Sequence, residues 1–261
     1  MVPKILALDF DGVLCDGIQE YFHSSQRVYC HFWPQSTTVD LLAYQSAFQQ
    51  LRPVIEKGWE MPLLLRAIAG GITAEEIHNH WPERRSQLLA KENLTPQQLS
   101  QKLDQVRDQW LENSLSEWLA LHRFYPGVIA KLQSLLAQPQ PIFIYIVTTK
   151  EGRFAELLLK EQGIELGNLR VVGKECQQPK DITLAQILSR HQCPPEDLWF
   201  VEDLLPTLIK VSAHPHLEGL KLFLATWGYN TPALRQQAQQ TPSIHCLSLK
   251  QFQAPCPEWL G

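Results

Sequence analysis

Acidic, hydroxyl and basic side chains follow short apolar stretches of this 261-residue sequence. In chain order, these polar groups are Asp9, Asp11, Thr148, Thr149, Lys150, Lys174, Lys180, Glu202 and Asp203. Carboxylate oxygens suit a hard divalent cation such as Mg²⁺, and a carboxylate can also act as a nucleophile. Hydroxyl and ammonium groups can neutralise phosphate oxygens. Together these are the residue types that phosphoryl transfer uses.

The apolar stretches predict buried strands. They are short runs at residues 4–9, 142–147, 169–172, 198–201 and 220–225, with helical patterns between the later ones. Strands that alternate with helices predict an α/β fold, a Rossmann-like doubly wound parallel sheet with helices on both faces. Ligands of such sheets bind at the carboxyl ends of the strands. The polar residues are therefore expected to meet at one edge of the sheet.

A helical block interrupts the sheet pattern after the first strand. Residues 17–123 carry helical spacing and almost no strand signal. The predicted organisation is one α/β core domain, residues 1–16 and 124–261, with an inserted α-helical domain, residues 17–123. This is an insertion after the first strand, not two domains in tandem.

Two kinds of helix signal stand out inside the inserted block. Apolar residues three and four apart predict a helix over 41–55 that breaks at Arg52 and restarts with Pro53 in its first turn. Thr73 and Thr95 each begin a capping-box pattern, because Glu76 and a glutamine stand three residues later. The second box is expected to open a long helix.

The residues at the strand ends resemble the four motifs of the haloacid dehalogenase-like (HAD) superfamily of phosphohydrolases. Residues 9–16 match its first motif, D-x-D-G-x-L-x-D. Residues 146–150 resemble the second motif, Lys180 the third, and residues 200–203 the fourth in its E-D form. The resemblance covers the core and implies a phosphatase in which the inserted block is a helical C1 cap.

The resemblance also implies roles for the acids. Asp9 would attack phosphorus and form an aspartyl-phosphate, while Asp11 would protonate the leaving alkoxide and deprotonate the attacking water. The acid at Asp11 favours the phosphatase branch over the dehalogenase branch, which carries no acid there. Asp9, Asp203 and the backbone carbonyl of Asp11 would hold Mg²⁺, with Glu202 as a direct or water-mediated ligand.

Phosphate oxygens would be bound by the remaining core residues. Thr148 and Lys180 would contact them, and the backbone N–H of Thr149 would be a further donor. Lys174 is a second candidate for the lysine, because the order Pro179-Lys180 reverses the order of many relatives. Lys180 is favoured, since it directly precedes an apparent helix start.

Two arginines of the inserted block are candidates for substrate binding. Arg52 and Arg66 could each reach a second anionic group of the substrate. The alternative is that both arginines form a structural salt-bridge network with Glu56 and Glu60. The residue types do not decide between these interpretations.

Composition excludes several classes of partner. Lysine and arginine number 23 against 27 acids, a net charge of −4, and no basic cluster marks a nucleic-acid binder. No stretch approaches the length of a membrane span. The six cysteines form no C-x-x-C pair and are expected to be reduced thiols of a cytoplasmic protein. The expected partner is a phosphorylated small molecule, and the expected state is a monomer or weak homodimer.

Two other functions remain open at this point. A phosphomutase acting on a sugar phosphate would use the same residues but return the phosphoryl group to the sugar. A non-catalytic binding module could keep the HAD fold without turnover. The four motifs are intact in the sequence, which favours an enzyme.

Overall fold

The computed structural model describes most of the chain, namely residues 2–34, 40–139, 142–165 and 170–260. The chain divides into two compact units. The first unit contains residues 1–16 and 124–261, and the second contains residues 17–123. The acids and lysines that are predicted to carry the chemistry all lie in the first unit.

Parallel strands form the framework of the first unit. In chain order, the strands of the described residues are β1 (Ile5–Leu8), β2 (Cys15–Asp16), β3 (Arg123–Phe124), β4 (Phe143–Val147), β5 (Val171–Val172), β6 (Leu198–Glu202), β7 (Lys221–Ala225) and β8 (Ile244–Leu247). Within the described residues, six of them form one sheet in the order β5-β4-β1-β6-β7-β8, and all neighbours run parallel. The expected doubly wound α/β fold is confirmed. Leu169, which begins one predicted run, lies outside the described residues.

The strand order reverses at β1. Leu8, at the end of β1, lies beside Ile146 of β4 and Val201 of β6. After β1, the chain adds β4 and β5 on one side of β1, and then adds β6, β7 and β8 on the other side. Such a reversal point leaves a crevice at the carboxyl ends of the strands. The segments that follow β1, β4 and β6 therefore begin side by side.

Both faces of the sheet are buried, which explains the continuous apolar runs. Ala7, Phe200 and Leu222 face one apolar cluster. Trp199 and Phe223 pack together with their ring centroids 5.1 Å apart. Side chains alternate between the faces, so a strand covered on both faces must be apolar throughout. The edge strand β8 was missed in the sequence because its two middle residues are only partly buried.

Helices connect the strands of the first unit. They are α6 (Val128–Leu136), α7 (Gly152–Glu161), α8 (Lys180–His191), α9 (Leu205–Ser212), α10 (Pro232–Gln239) and α11 (Leu249–Gln253). The predicted helix start near Asp181 corresponds to α8, which begins one residue earlier. Among the described residues, no helix combines the length and the apolar character that crossing a membrane requires.

Five α-helices form most of the described part of the second unit. Its helices are α1 (Ile18–Phe32), α2 (Gln45–Leu51), α3 (Glu60–Ala69), α4 (Ala74–Glu92) and α5 (Pro96–Ala120). Both predicted capping boxes are present at Thr73 and Thr95. The predicted break at Arg52 is confirmed, because α2 ends at Leu51. The helix restarts only as a single 3₁₀ turn, residues 52–54, with Pro53 in its first turn, and Ile55 is extended. Pro53 fits the first turn of either helix type, so the sequence did not distinguish them.

A buried ion pair ties α1 to α5 within the second unit. Arg107 donates from Nε and Nη2 to the two carboxylate oxygens of Glu20 at 2.7 and 2.8 Å. Ser24 also donates to Glu20, whose side chain is fully buried. A bidentate pair of this kind compensates the desolvation of both charges only while both partners remain.

Arg107→Met is therefore expected to lower the free energy of unfolding by about 3–5 kcal/mol, because it leaves the Glu20 carboxylate buried without its cation. Denaturant unfolding measures the change. Arg84→Met is the matched control, since the Arg84–Glu76 pair is partly exposed and should contribute less than a buried pair. The double variant Glu20→Gln with Arg107→Met should recover part of the loss. Equal losses for Arg107→Met and Arg84→Met would contradict the expectation.

Candidate active site

The turn after β1 fixes Asp9 at the carboxyl edge of the sheet. The Asp9 backbone N–H still belongs to the ladder, donating to Val201 O at 2.9 Å. The side chain then turns back, and its Oδ1 accepts from the Phe10 backbone N–H at 2.7 Å. Asp9 is buried, with 5% of its surface exposed. One carboxylate of the candidate site is thus held rigidly by the strand that precedes it.

Glu202 and Asp203 follow the neighbouring strand β6. The Glu202 side chain is fully buried, and its Oε1 accepts from the backbone N–H groups of Asp203 and Leu204 at 3.0 and 3.1 Å. Asp203 is also buried. Because β6 pairs with β1, these acids lie next to Asp9. Oxygen atoms of the three carboxylates lie within 4.8 Å of one another.

Lys180 enters the same cluster from the first turn of α8. Its Nζ lies 3.0 Å from Asp9 Oδ1 and 2.7 Å from Glu202 Oε2. Lys174, the other candidate, lies 3.7 Å from Glu151 and has a partly exposed side chain. The geometry brings Lys180, and not Lys174, to the acids. The start of α8 decides this, because it directs the first residue of the helix toward the strand ends.

The charges in this cluster are not balanced. Burial, and then the charge of Glu202, raise the pKa of Asp9 to about 7, although Lys180 lies nearby. Burial also raises the pKa of Glu202. Burial by itself would lower the pKa of Lys180, but the charges of Asp9 and Glu202 outweigh it and raise that pKa. One ammonium therefore faces three buried carboxylates and does not neutralise them.

These residues fit a hard divalent cation. Asp9, Glu202 and Asp203 offer only oxygen donors, which Mg²⁺ prefers over nitrogen or sulfur. The excess negative charge would also be relieved by two positive charges. Both oxygens of Glu202 already accept hydrogen bonds, from Asp203, Leu204 and Lys180.

The loop after β7 positions Asp203. The Tyr229 backbone N–H donates to Asp203 Oδ2 at 2.7 Å. Asn230 Nδ2 donates to the carbonyls of Asp203 and Ala225 at 3.1 and 2.8 Å. Tyr229 also donates from its hydroxyl to Asp16 at 2.7 Å. The segment Trp-Gly-Tyr-Asn just after a predicted strand was the available sequence signal.

Thr148, Thr149 and Lys150 occupy the carboxyl end of β4. Thr148 is buried, and its Oγ1 accepts from the Lys150 backbone N–H at 3.1 Å. Thr149 is exposed. Lys150, which follows them, is buried and places Nζ 3.3 Å from Asp11 Oδ1. This strand therefore contributes a hydroxyl, a backbone turn and a second lysine to the edge.

The two candidate arginines lie in the second unit and have partners there. Arg52 is buried, and its Nη1 donates to Ile55 O at 3.0 Å. Arg66 forms an ion pair with Glu92 at 2.9 Å. These contacts are not those of the expected network with Glu56 and Glu60, since Glu60 pairs with Arg85. A substrate contact from either arginine remains a prediction.

A glycine permits the close approach of the first and fourth motifs. Gly12 has φ +84°, and a Cβ atom there would lie 2.0 Å from Asp203 Oδ2. Gly12→Ala is expected to lower the free energy of unfolding by about 2 kcal/mol or more, through both backbone strain and displacement of Asp203. Denaturant unfolding measures it.

Gly163→Ala is the matched control for Gly12→Ala. Gly163 also has a positive φ, +72°, but nothing lies within 4 Å of its added Cβ. The two substitutions share the backbone strain, and only Gly12→Ala adds the clash. If both variants lost the same stability, the contact between the added Cβ at residue 12 and Asp203 would not lower the free energy of unfolding.

Solved structures share this fold. A Bacteroides fragilis protein, assigned by its name to the haloacid dehalogenase-like hydrolases, has a TM-score of 0.58 at 19% identity, covering 96% of this chain and 99% of its own. A Haemophilus somnus protein named as a predicted phosphoglycolate phosphatase gives 0.55 at 18% identity over 92% of each chain. A protein named as a predicted phosphatase, from Clostridium acetobutylicum, gives 0.56 at 13% identity over 97% of each chain. No family model and no curated protein matches the sequence. These likenesses confirm the expected HAD-like fold.

Proposed function

We propose that this chain, whose fold is that of the haloacid dehalogenase-like hydrolases, is a Mg²⁺-dependent phosphatase. It hydrolyses a small phosphorylated metabolite through an aspartyl-phosphate on Asp9. The proposal is carried by one observation: Lys180 bridges Asp9 and Glu202 beside Asp203, at the reversal point of the sheet. A buried cluster with more acids than lysines is suited to bind a metal cation and then an anionic substrate.

Asp9 and Asp11 divide the chemistry in this proposal. An oxygen of Asp9 attacks phosphorus, the bond to the leaving alkoxide breaks, and Asp11 gives its proton to that alkoxide. In the second half-reaction Asp11 takes a proton from water. The water oxygen attacks phosphorus and the bond to Asp9 breaks, which releases inorganic phosphate and restores both acids.

The metal would be held by Asp9, Asp203 and the backbone carbonyl of Asp11, with Glu202 as a direct or water-mediated ligand. When bound, Mg²⁺ supplies positive charge that polarises the phosphoryl oxygens. Lys180 adds a second positive charge and keeps the repulsion between Asp9 and an anionic substrate small. Thr148 and the backbone N–H of Thr149 bind the remaining phosphate oxygens in this proposal.

The inserted helical domain, residues 17–123, is proposed to act as a cap that excludes water and selects the substrate. Arg52 and Arg66 are the proposed contacts to a second anionic group of the substrate. A phosphorylated carboxylic acid would supply such a group. We further propose that the protein is a monomer or weak homodimer and that it is cytoplasmic. The six cysteines are free thiols, which suits a reducing compartment.

A screen of phosphate monoesters tests the proposal. The panel contains sugar phosphates, nucleoside monophosphates and 2-phosphoglycolate, the last because one structural neighbour is named for it. The expected result is release of inorganic phosphate that requires Mg²⁺ and stops with EDTA. Absence of release from every ester, with folded protein and Mg²⁺ present, would contradict a phosphatase function.

The same screen separates the two alternative functions. A phosphomutase would convert one sugar phosphate into an isomer without releasing equivalent inorganic phosphate. A non-catalytic binding module would bind esters, as measured by calorimetry, but turn none over. Stoichiometric appearance of phosphate and the free alcohol supports the phosphatase over both.

A further inference from the structure

Lys150 forms a second buried lysine–carboxylate contact in the first unit. Its Nζ lies 3.3 and 3.5 Å from the two carboxylate oxygens of Asp11. The Lys150 side chain is 2% exposed and the Asp11 side chain 18% exposed. A contact so shielded from water is less weakened by solvent than a surface ion pair.

The backbone on both sides of Lys150 is held in place. Its N–H donates to Thr148 Oγ1 at 3.1 Å, and its carbonyl accepts from the Lys174 N–H at 2.9 Å. The side chain therefore starts from a fixed point at the end of β4. Asp11 starts from the turn after β1, the strand that pairs with β4.

The two lysines of the edge contact different acids. Lys180 contacts Asp9 and Glu202, whereas Lys150 contacts Asp11. The proposed nucleophile, Asp9, and the proposed general acid and base, Asp11, therefore contact different lysines. Asp9 and Asp11 are thereby oriented by different lysines.

We infer that Lys150 is a positioning residue that orients Asp11 for proton transfer to the leaving group. The inference rests on the phosphatase function proposed above. When the bond from phosphorus to the leaving oxygen breaks, that oxygen takes the proton of Asp11, and Asp11 becomes a carboxylate. Lys150 holds the carboxyl group in place and stabilises the negative charge that develops on it.

The test compares two leaving groups in Lys150→Met. The substrates are the best alkyl phosphate from the panel above and p-nitrophenyl phosphate. An alkoxide needs the proton of Asp11 to leave, whereas p-nitrophenolate is stable without it. The expected loss in kcat/KM is about 10–100-fold for the alkyl phosphate and about threefold or less for the aryl phosphate. kcat/KM is the right quantity because it covers the steps up to departure of the leaving group.

Four companion variants sharpen the result. Lys150→Arg keeps the charge and should recover most of the alkyl phosphate activity. Asp11→Asn should show the same leaving-group selectivity, and adding Lys150→Met to it should cause little further loss, because the two residues act as a unit. Lys210→Met, which removes an exposed lysine paired with Asp181, should leave both activities unchanged.

The outcomes separate this inference from the proposed function. Equal losses for both substrates, or no loss for either, would overturn the role of Lys150 while leaving the phosphatase intact. A wild-type protein that releases no phosphate would overturn the function and the inference with it. If Lys150→Met fails to fold, the double variant with Asp11→Asn removes both charges and is compared with Asp11→Asn alone. A further large loss in that comparison would also overturn the inference.

Discussion

Asp9→Asn is expected to abolish phosphate release, with a fall in kcat of about 10⁴-fold or more. The amide keeps the shape of the carboxylate but cannot form the aspartyl-phosphate. The measurement is steady-state phosphate release with Mg²⁺, together with acid quenching and mass spectrometry of the protein. Wild-type protein should carry a phosphoryl group on the peptide that contains residue 9, and the variant should not.

The same substitution is expected to leave the fold stable. An amide oxygen at this position can still accept the hydrogen bonds that Phe10 and Lys180 now donate to Asp9. Burial already disfavours the charged form of Asp9, whose pKa is raised to about 7. Thermal unfolding should thus be nearly unchanged, so the loss of activity would report chemistry and not folding.

Asp197→Asn provides the control for this prediction. Asp197 forms an ion pair with the exposed side chain of Lys4, away from the carboxyl ends of the strands. It should retain wild-type activity. Substantial phosphate release by Asp9→Asn, at more than a few per cent of wild type, would remove the nucleophile from the proposed mechanism.

Lys180→Met is expected to have the second-largest effect, because it acts on both stability and activity. Removing the ammonium leaves Asp9 and Glu202 buried without their shared partner. The free energy of unfolding should fall by about 3–5 kcal/mol in the absence of metal. kcat/KM should fall about 10²–10³-fold, since a positive charge near the phosphoryl oxygens is lost.

Metal and a second substitution test the cause of the instability. Mg²⁺ should restore part of the stability of Lys180→Met, because a ligand of the native state stabilises it by mass action. Lys180→Met with Glu202→Gln should also be more stable than Lys180→Met alone. Denaturant unfolding with Mg²⁺ and with EDTA measures both effects.

Lys174→Met compares the two candidate lysines directly. Lys174 contacts Glu151 at 3.7 Å with its side chain partly exposed, so most activity and stability should remain. If Lys174→Met lost more activity than Lys180→Met, the assignment of the lysine would be reversed. Unchanged stability of Lys180→Met would show that the cluster does not depend on its ammonium.

The sequence by itself determined the fold class and the place of the acids. Strands such as β1 and β6 are covered on both faces, so their composition is uniformly apolar and easy to recognise. Asp9, Glu202 and Asp203 could be placed at one edge because parallel strands end at the same side of a sheet. These inferences need only local pattern and chain direction.

Only the tertiary structure decided which side chains touch. The choice of Lys180 over Lys174 depends on where α8 begins relative to β1 and β6. The contact of Lys150 with Asp11, and of Tyr229 with Asp203, joins residues 139 and 26 positions apart. Such contacts depend on the register of neighbouring strands and on loop paths, which residue types do not encode locally.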